Sequence, residues 1–432
     1  MKTFQTILLA VFGFFIVAGV IAIASFGKFG GGDGDTVPAE GVVWGTLDQN
    51  LFLNAVNLYN EDHDNTLKIL YKQFSEDTFD EELTSALAEG RGPDMVIITN
   101  ERLLQHQQKL YPVPYESLPE RGFRDTYAQG AEIFLGAQGV YALPLFADPM
   151  VMYWNRILFN AEGIARPPKL WEEVTALVPQ LTKSDSAFNI TQSAIALGEH
   201  RNVTHAKEIL ATMIMQAGNP IVVRDGDKYQ SILSDRLDLP ETPADAATRF
   251  FTEFANPVKP SYSWNRALPD AKESFIRGDV AMYLGFASEL FDIQDQNPNL
   301  NFDVTRMPQV RDAVDKTTFG KIYGVAILNQ SRIKPNAFSA AVLLSGADMA
   351  PLWVNAFSLP PVRRSMLAQL PTDPYMAVFY QDSLIARGFY DADPGQTDEV
   401  FRQLIEDVTS GRLSTSLAIL QADGRMDALL AR

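Results

Sequence analysis

The sequence predicts an α/β protein with largely parallel sheets, divided into two lobes and preceded by one N-terminal transmembrane helix. Three observations predict it. From Gly41 onward, short apolar runs alternate with amphipathic helical stretches, the pattern of repeated strand–helix–strand units. The part beyond residue 40 is about 390 residues long, more than one hydrophobic core usually serves, so two lobes are expected. Residues 7–26 form a run of 20 in which Ser25 is the only polar member, the length a helix needs to cross a bilayer.

That apolar run has two open readings. As a retained anchor it spans the membrane; as a cleaved export signal it ends at Ala22-Ile23-Ala24, a small-x-small site preceded by Lys2 near the terminus. Lys2 and Lys28 flank the run, so the positive-inside bias does not decide orientation. Both readings put the bulk of the chain on the extracytoplasmic side: tethered to the cell membrane by a single pass, or secreted or periplasmic after cleavage. Residues 1–28 are thus the anchor or signal and residues 29–39 a leash. Gly30-Gly31-Gly32-Asp33-Gly34-Asp35 lacks side chains that could pack. The folded part is expected to start near Glu40.

Its elements follow in order. Val42-Val43-Trp44 reads as a first strand, followed by a helix from about Leu51 to Tyr59, a strand over Leu67 to Tyr71, a helix around Phe79 to Ala88 and a strand over Met95 to Ile98. This is a βαβαβ unit. In Gly90-Arg91-Gly92-Pro93-Asp94 a glycine can end the helix in a left-handed turn and the proline prevents its resumption. Further on, Val174, Leu177, Val178 and Leu181 share one face of a helix beginning at Trp171, which Pro179 should kink or shorten. Thr204 is placed to cap a helix that buries Ile209, Leu210 and Met213 and stops at Gly218. Asp270 and Glu273 have capping-box spacing, Gly278 is the stop, and Val280 to Leu284 is the next strand.

Composition narrows the function. A net charge of −17 with no basic cluster argues against nucleic acid or an anionic lipid surface as partner. The absence of cysteine excludes disulfides, thiolate metal sites and a lipid-modified cysteine. No phosphate-binding loop, nucleophile-elbow serine or paired-histidine zinc helix is present, and His63, His106, His200 and His205 lack helical ligand spacing. The reading therefore calls for no cofactor, no metal and no catalytic residue. A glycosidase carboxylate pair is set by distance in space, so a glycan hydrolase stays open as a rival at this point.

Several segments together resemble the family 1 extracellular solute-binding proteins, the maltose-binding-protein-like receptors of ABC importers. They are Ala88-Glu89-Gly90-Arg91-Gly92-Pro93-Asp94; Tyr141-Ala142-Leu143-Pro144 with Asp148-Pro149 and Tyr153-Trp154-Asn155; Leu158-Phe159-Asn160-Ala161-Glu162-Gly163; Pro167-Pro168-Lys169-Leu170-Trp171-Glu172-Glu173; and Phe275-Ile276-Arg277-Gly278-Asp279-Val280-Ala281-Met282. Leu170 stands where the family usually has a Ser or Thr cap, so that helix should be capped differently.

The resemblance implies a type II periplasmic-binding-protein fold whose two discontinuous lobes close on a ligand by a hinge. It places lobe 1 at 40–147 plus 326–360 and lobe 2 at 148–325 plus 361–432, with crossings near 146–150, 323–326 and 359–364. By matching position it implies ligand contacts from Asp48, Glu101, Arg102 and Asp148, polar groups suited to sugar hydroxyls. Trp44, Phe286 and Tyr390 are candidate aromatic platforms for a sugar's C–H face, and the loop carrying Arg201 and Asn202 should face the cleft. The expected function is capture of a small solute, a mono- or oligosaccharide before a polyamine or peptide, by a monomeric receptor. Its partners are then that solute, the membrane, and ABC permease subunits served by a separate ATPase.

Overall fold

The computed structural model describes residues 37–431, apart from 312 and 314. The apolar run 7–26 and the glycine-rich stretch 30–35 lie outside the described residues. Among the described residues no helix is long and apolar enough to cross a membrane.

The chain begins as the predicted βαβαβ unit. Strand β1 (Ala39–Gly45), helix Gln49–Asp62, β2 (Leu67–Gln73), helix Phe79–Ala88 and β3 (Met95–Thr99) follow in order, with β1 parallel to both β2 and β3. Asp48 sets the first helix: its carboxylate accepts from the amides of Asn50 and Leu51, which would otherwise lack partners at a helix N-terminus. Gly90 ends the second helix at φ +68°, where a side chain would be strained.

The remaining strands are β4 (Leu143–Asn155), β5 (Lys183–Ser184), β6 (Ile190–Ile195), β7 (Val222–Asp225), β8 (Lys228–Ser231), β9 (Val280–Phe286), β10 (Phe302–Thr305), β11 (Thr318–Ile327) and β12 (Ala386–Arg387). One sheet runs in the order β2-β1-β3-β11-β4-β9-β6-β5, with β10 beside β4 and β12 beside β11; β7 and β8 form a separate hairpin. Two long strands carry the chain across its middle. Every residue of β4 is buried, and it exchanges neighbours midway: Leu143 to Pro149 pair with β11, whereas Met150 to Trp154 pair with β9. The start of β11 is tied to the second half of the sheet, since Thr318 donates to the Met150 carbonyl and the Phe319 amide to Thr212. From Tyr323 onward β11 pairs with β3 of the first half.

Helices of the second half cover this sheet, and the termini of three of them correct or complete the sequence reading. Helix Trp171–Leu181 is not shortened by Pro179, which sits in its last turn where few downstream bonds depend on it. Its start lacks a capping side chain at Leu170; instead the Glu173 carboxylate reaches back to the amides of Lys169 and Leu170, at 2.7 and 3.1 Å. Thr204 does not cap helix Ala206–Gln216. His205 holds that position in the left-handed region, and Thr204 donates to the Asp270 carboxylate. Asp270 does cap helix Ala271–Arg277, accepting from Lys272 and Glu273, and Gly278 at φ +88° stops it before β9.

Candidate functional site

A cavity of about 310 Å³ lies where the two halves of the sheet meet. It is lined by Glu76, Thr99, Glu101 and Arg102 from the first half, by Lys321 and Tyr323 of β11, and by Lys207, Glu208, Pro394, Gly395 and Asp398 from the helices of the second. A larger hollow, about 410 Å³, is walled only by second-half segments around Arg249, Glu253 and Thr409. The smaller one is the candidate, because of the two it is the one walled by both halves and by the crossing strand β11.

Strand alternation builds its floor. Phe146 and Asp148 of β4 face Tyr323 and Lys321 of β11 in antiparallel register, so all four side chains share one face of the sheet. The rings of Phe146 and Tyr323 stack with centroids 4.9 Å apart. Asp148 is only 2% exposed and accepts from the Ser288 amide at 3.0 Å. Burial pushes its carboxyl up to about 6, against the opposing pull of Ser288 and of Lys321. The Lys321 ammonium lies over the Phe286 ring, 4.6 Å from its centroid.

The side wall is a buried charge cluster joining the halves. Lys207, on helix Ala206–Gln216, reaches Glu101 at 3.2 Å, Glu208 at 3.3 Å and Asp391 at 3.4 Å. Burial alone would discharge this ammonium, but the three carboxylates hold its pKa well above the ordinary lysine range. Asp391 is pushed up to about 6 by burial despite Lys207, and it also accepts from Thr397 at 2.6 Å. Behind the floor, His205 and Glu289 form a second pair at 2.7 Å. Burial would raise Glu289, yet His205 and Lys272 outweigh it and bring the carboxyl down to about 2.

The nine residues singled out from the sequence are thus distributed unevenly. Glu101 and Arg102 line the cavity, although the Arg102 guanidinium is already held by Asp80 at 3.0 Å and Glu76 at 2.6 Å. Asp148 and Phe286 sit beneath Lys321 and do not line it. Asp48 is an exposed helix cap. Trp44 packs on Phe74 with centroids 4.6 Å apart. Arg201 is exposed, whereas the Asn202 amide is taken up by the carbonyls of Asn265 and Leu268 and by the Trp264 indole. Tyr390 packs on Tyr229 near Arg224; that hairpin side also touches the first half, Arg224 donating to the Leu135 carbonyl and Tyr229 to Gln107.

Sequence reasoning missed Lys207, Glu208, Lys321 and Tyr323. Two of them carried a signal. Lys207 shares a helical face with Leu210, Ala211 and Ile214, all buried, so its charge falls on the apolar side of its helix. Lys321 interrupts an otherwise uncharged strand, Thr318 to Ile327. Glu208 and Tyr323 have no such local mark.

Comparison with known proteins agrees with this architecture. Residues 45–350 match the family of bacterial extracellular solute-binding proteins. Binding proteins of Brucella abortus (strain 2308) and Brucella suis biovar 1 (strain 1330) are 22% identical over 281 residues. That match covers 62% of this chain and spans 62% of those relatives' length. A cyclo/maltodextrin-binding protein in complex with maltotetraose superposes with a TM-score of 0.73 at 15% identity, covering 92% of this chain and 98% of the other. An ABC transporter solute-binding protein of Thermotoga lettingae TMO bound to α-D-tagatose gives 0.66 at 18% identity, covering 90% and 99%. The chain belongs to the bacterial extracellular solute-binding proteins, and its mixed α/β fold is that of the type II periplasmic-binding proteins.

Proposed function

We propose that this protein captures a mono- or short oligosaccharide in the cavity between its halves and delivers it to the permease of an ABC importer driven by a separate ATPase. The observation that carries the reading is a cavity walled by charged side chains from both halves and floored by Lys321 and Tyr323 of the crossing strand β11. A ligand held there contacts both sides at once, so binding favours the closed arrangement. At about 310 Å³ the cavity is at the small end of ligand sites, which run roughly 300–1,000 Å³, and that favours one or two sugar rings. Carboxylates and ammonium groups side by side suit hydroxyls, which donate and accept together. Two of the fold's relatives are described with maltotetraose and with α-D-tagatose bound.

On this reading lobe 1 comprises 40–147 and 326–360 and lobe 2 comprises 148–325 and 361–432, with β4 and β11 as the hinge strands. The apolar run 7–26 tethers the receptor to the membrane or exports it. The test is a thermal-shift screen of the full chain in mild detergent, because a ligand bound only by the folded state raises the melting temperature. Mono- and disaccharides should raise it, with calorimetry showing binding and no turnover. A rise with spermidine or short peptides alone, or hydrolysis of a disaccharide, would overturn the saccharide-receptor reading.

A further inference from the structure

Among the hydrogen-bonding groups of the cavity that the fold itself leaves unused, two stand side by side on β11. Among the described residues, the Lys321 ammonium has no hydrogen-bond or ion-pair partner, and neither does the Tyr323 hydroxyl, although both line the cavity. They are two residues apart on β11 and so project from the same face, while Ile322 between them is buried on the other. Neither side chain is free to drift. The Lys321 ammonium sits over the face of the Phe286 ring, and the Tyr323 ring is stacked on Phe146. Every other cation of the cavity is occupied: Lys207 by three carboxylates, Arg102 by Glu76 and Asp80. A part-buried ammonium with three unused donors is unfavourable until something accepts from it.

We infer that Lys321 and Tyr323 together anchor the solute, and that they select an uncharged polyhydroxylated ligand. This rests on the saccharide reading above and adds the residues and the selection rule. The remaining walls give the rule its two sides. Three carboxylates, Glu101, Glu208 and Asp391, share the one Lys207 ammonium, and Glu76 and Asp398 line the same cavity. A sugar acid could satisfy Lys321 but would bring its charge among these carboxylates. A polyamine would satisfy the carboxylates but would meet Lys321 with like charge and leave it without an acceptor. A neutral sugar does both, its oxygens accepting from Lys321 and Tyr323 and its hydroxyls donating to Glu101 and Glu208.

The experiment is titration calorimetry of the full chain in mild detergent with D-glucose, D-galactose, D-xylose, maltose, D-glucuronate, D-glucosamine and spermidine. The best neutral sugar is then carried to the variants Lys321→Met, Lys321→Gln and Tyr323→Phe. Losing a hydrogen bond to a charged group should weaken binding roughly 10- to 100-fold in the lysine variants, and losing one neutral hydroxyl about 3- to 10-fold in Tyr323→Phe. Each variant is accepted only if its ligand-free melting temperature stays near that of the parent. Tyr323→Phe keeps the ring on Phe146 and so preserves a test should the lysine variants not fold. Tight binding of a neutral sugar with unchanged affinity in these variants would overturn the anchor and leave the receptor reading standing. Preference of the parent chain for glucuronate, glucosamine or spermidine would overturn the selection rule, and failure of every neutral sugar would remove the saccharide reading with it.

Discussion

Asp148 shows how one carboxylate serves the floor of the site without lining it. Its neighbour across the strands is Lys321, and its oxygen holds the Ser288 amide in the turn after β9. Asp148→Ala therefore removes the acceptor of a part-buried amide, which costs at most about 1–3 kcal/mol, and takes one of several nearby carboxylates away from Lys321. Asp148→Asn keeps an acceptor and loses only the charge. We expect the alanine variant to lower the urea midpoint measurably and the asparagine variant to lower it less, with both weakening sugar binding in calorimetry. Equal stability of both variants and the parent would show that the Ser288 contact is dispensable. At this scale the sequence was partly legible. Glu101 and Arg102, named through the family resemblance, do line the cavity and Asp148 does not, whereas Lys207 went unnoticed because its partners lie up to 184 residues away, as between Lys207 and Asp391.

Elements were more legible than residues because their signals are local. Helix Phe79–Ala88 has the predicted ends, since Gly90 and Pro93 stop it, and helix Ala271–Arg277 has the predicted cap and stop. The misreading at Thr204 has a tertiary cause: its hydroxyl is taken up by the Asp270 carboxylate, which caps a different helix, so Thr204 is tied to that cap and not to its own helix. This coupling makes a prediction. Asp270→Ala should cost more than the roughly 1 kcal/mol of an ordinary lost cap, because it also strips the acceptor from Thr204. In a double-mutant cycle with Thr204→Val, measured by urea unfolding, the two losses should be non-additive. Strict additivity would mean the two termini are independent. The change of neighbours along β4 and β11 falls within the crossings implied by the resemblance, but no local pattern says which residue of a fully buried strand changes neighbour.

Over the whole molecule, several buried groups titrate in the same range and their effects on stability combine. Asp148, Asp382 and Asp391 are each raised to about 6 by burial, from an ordinary value of 3.8, and His205 is raised by Glu289, which outweighs the opposing effect of its burial. A carboxyl whose folded value is raised destabilises the fold when ionised, so stability is gained as pH falls from about 7 through 6 and is fully regained only below 3.8. His205 acts in the same direction, its contribution being complete below 6.5 and lost as pH rises through its higher folded value. Glu289, brought down to about 2, acts oppositely once pH falls below its ordinary 4.5, and His106, lowered by burial, opposes the three carboxyls as pH falls below 6.5. The melting temperature should therefore be higher at pH 5.5 than at 7.5 and fall again below about 4.5. In Asp382→Asn, which lies by Arg306 away from the cavity, the gain on going from 7.5 to 5.5 should shrink. A melting temperature that is flat or lower at 5.5 would refute the assignment.

On the proposed two-lobe reading, the Lys207 cluster restrains the hinge. Lys207 reaches across to Glu101 while also neutralising Glu208 and Asp391 in its own half, so it acts as a clasp whose removal leaves three buried carboxylates facing one another. Breaking a buried ion pair from one side costs about 3–5 kcal/mol, largely through the charge left unpaired. The fold can escape part of that penalty by one motion, rotation about β4 and β11 that takes Glu101 away from Glu208 and Asp391 and into water. Lys207→Met should thus open the ligand-free protein, seen as a larger radius of gyration in small-angle scattering, whereas Lys207→Met combined with Glu101→Gln should largely restore the parent value. If the single variant melts lower without expanding, the cluster stabilises the second half alone and does not clasp the two halves.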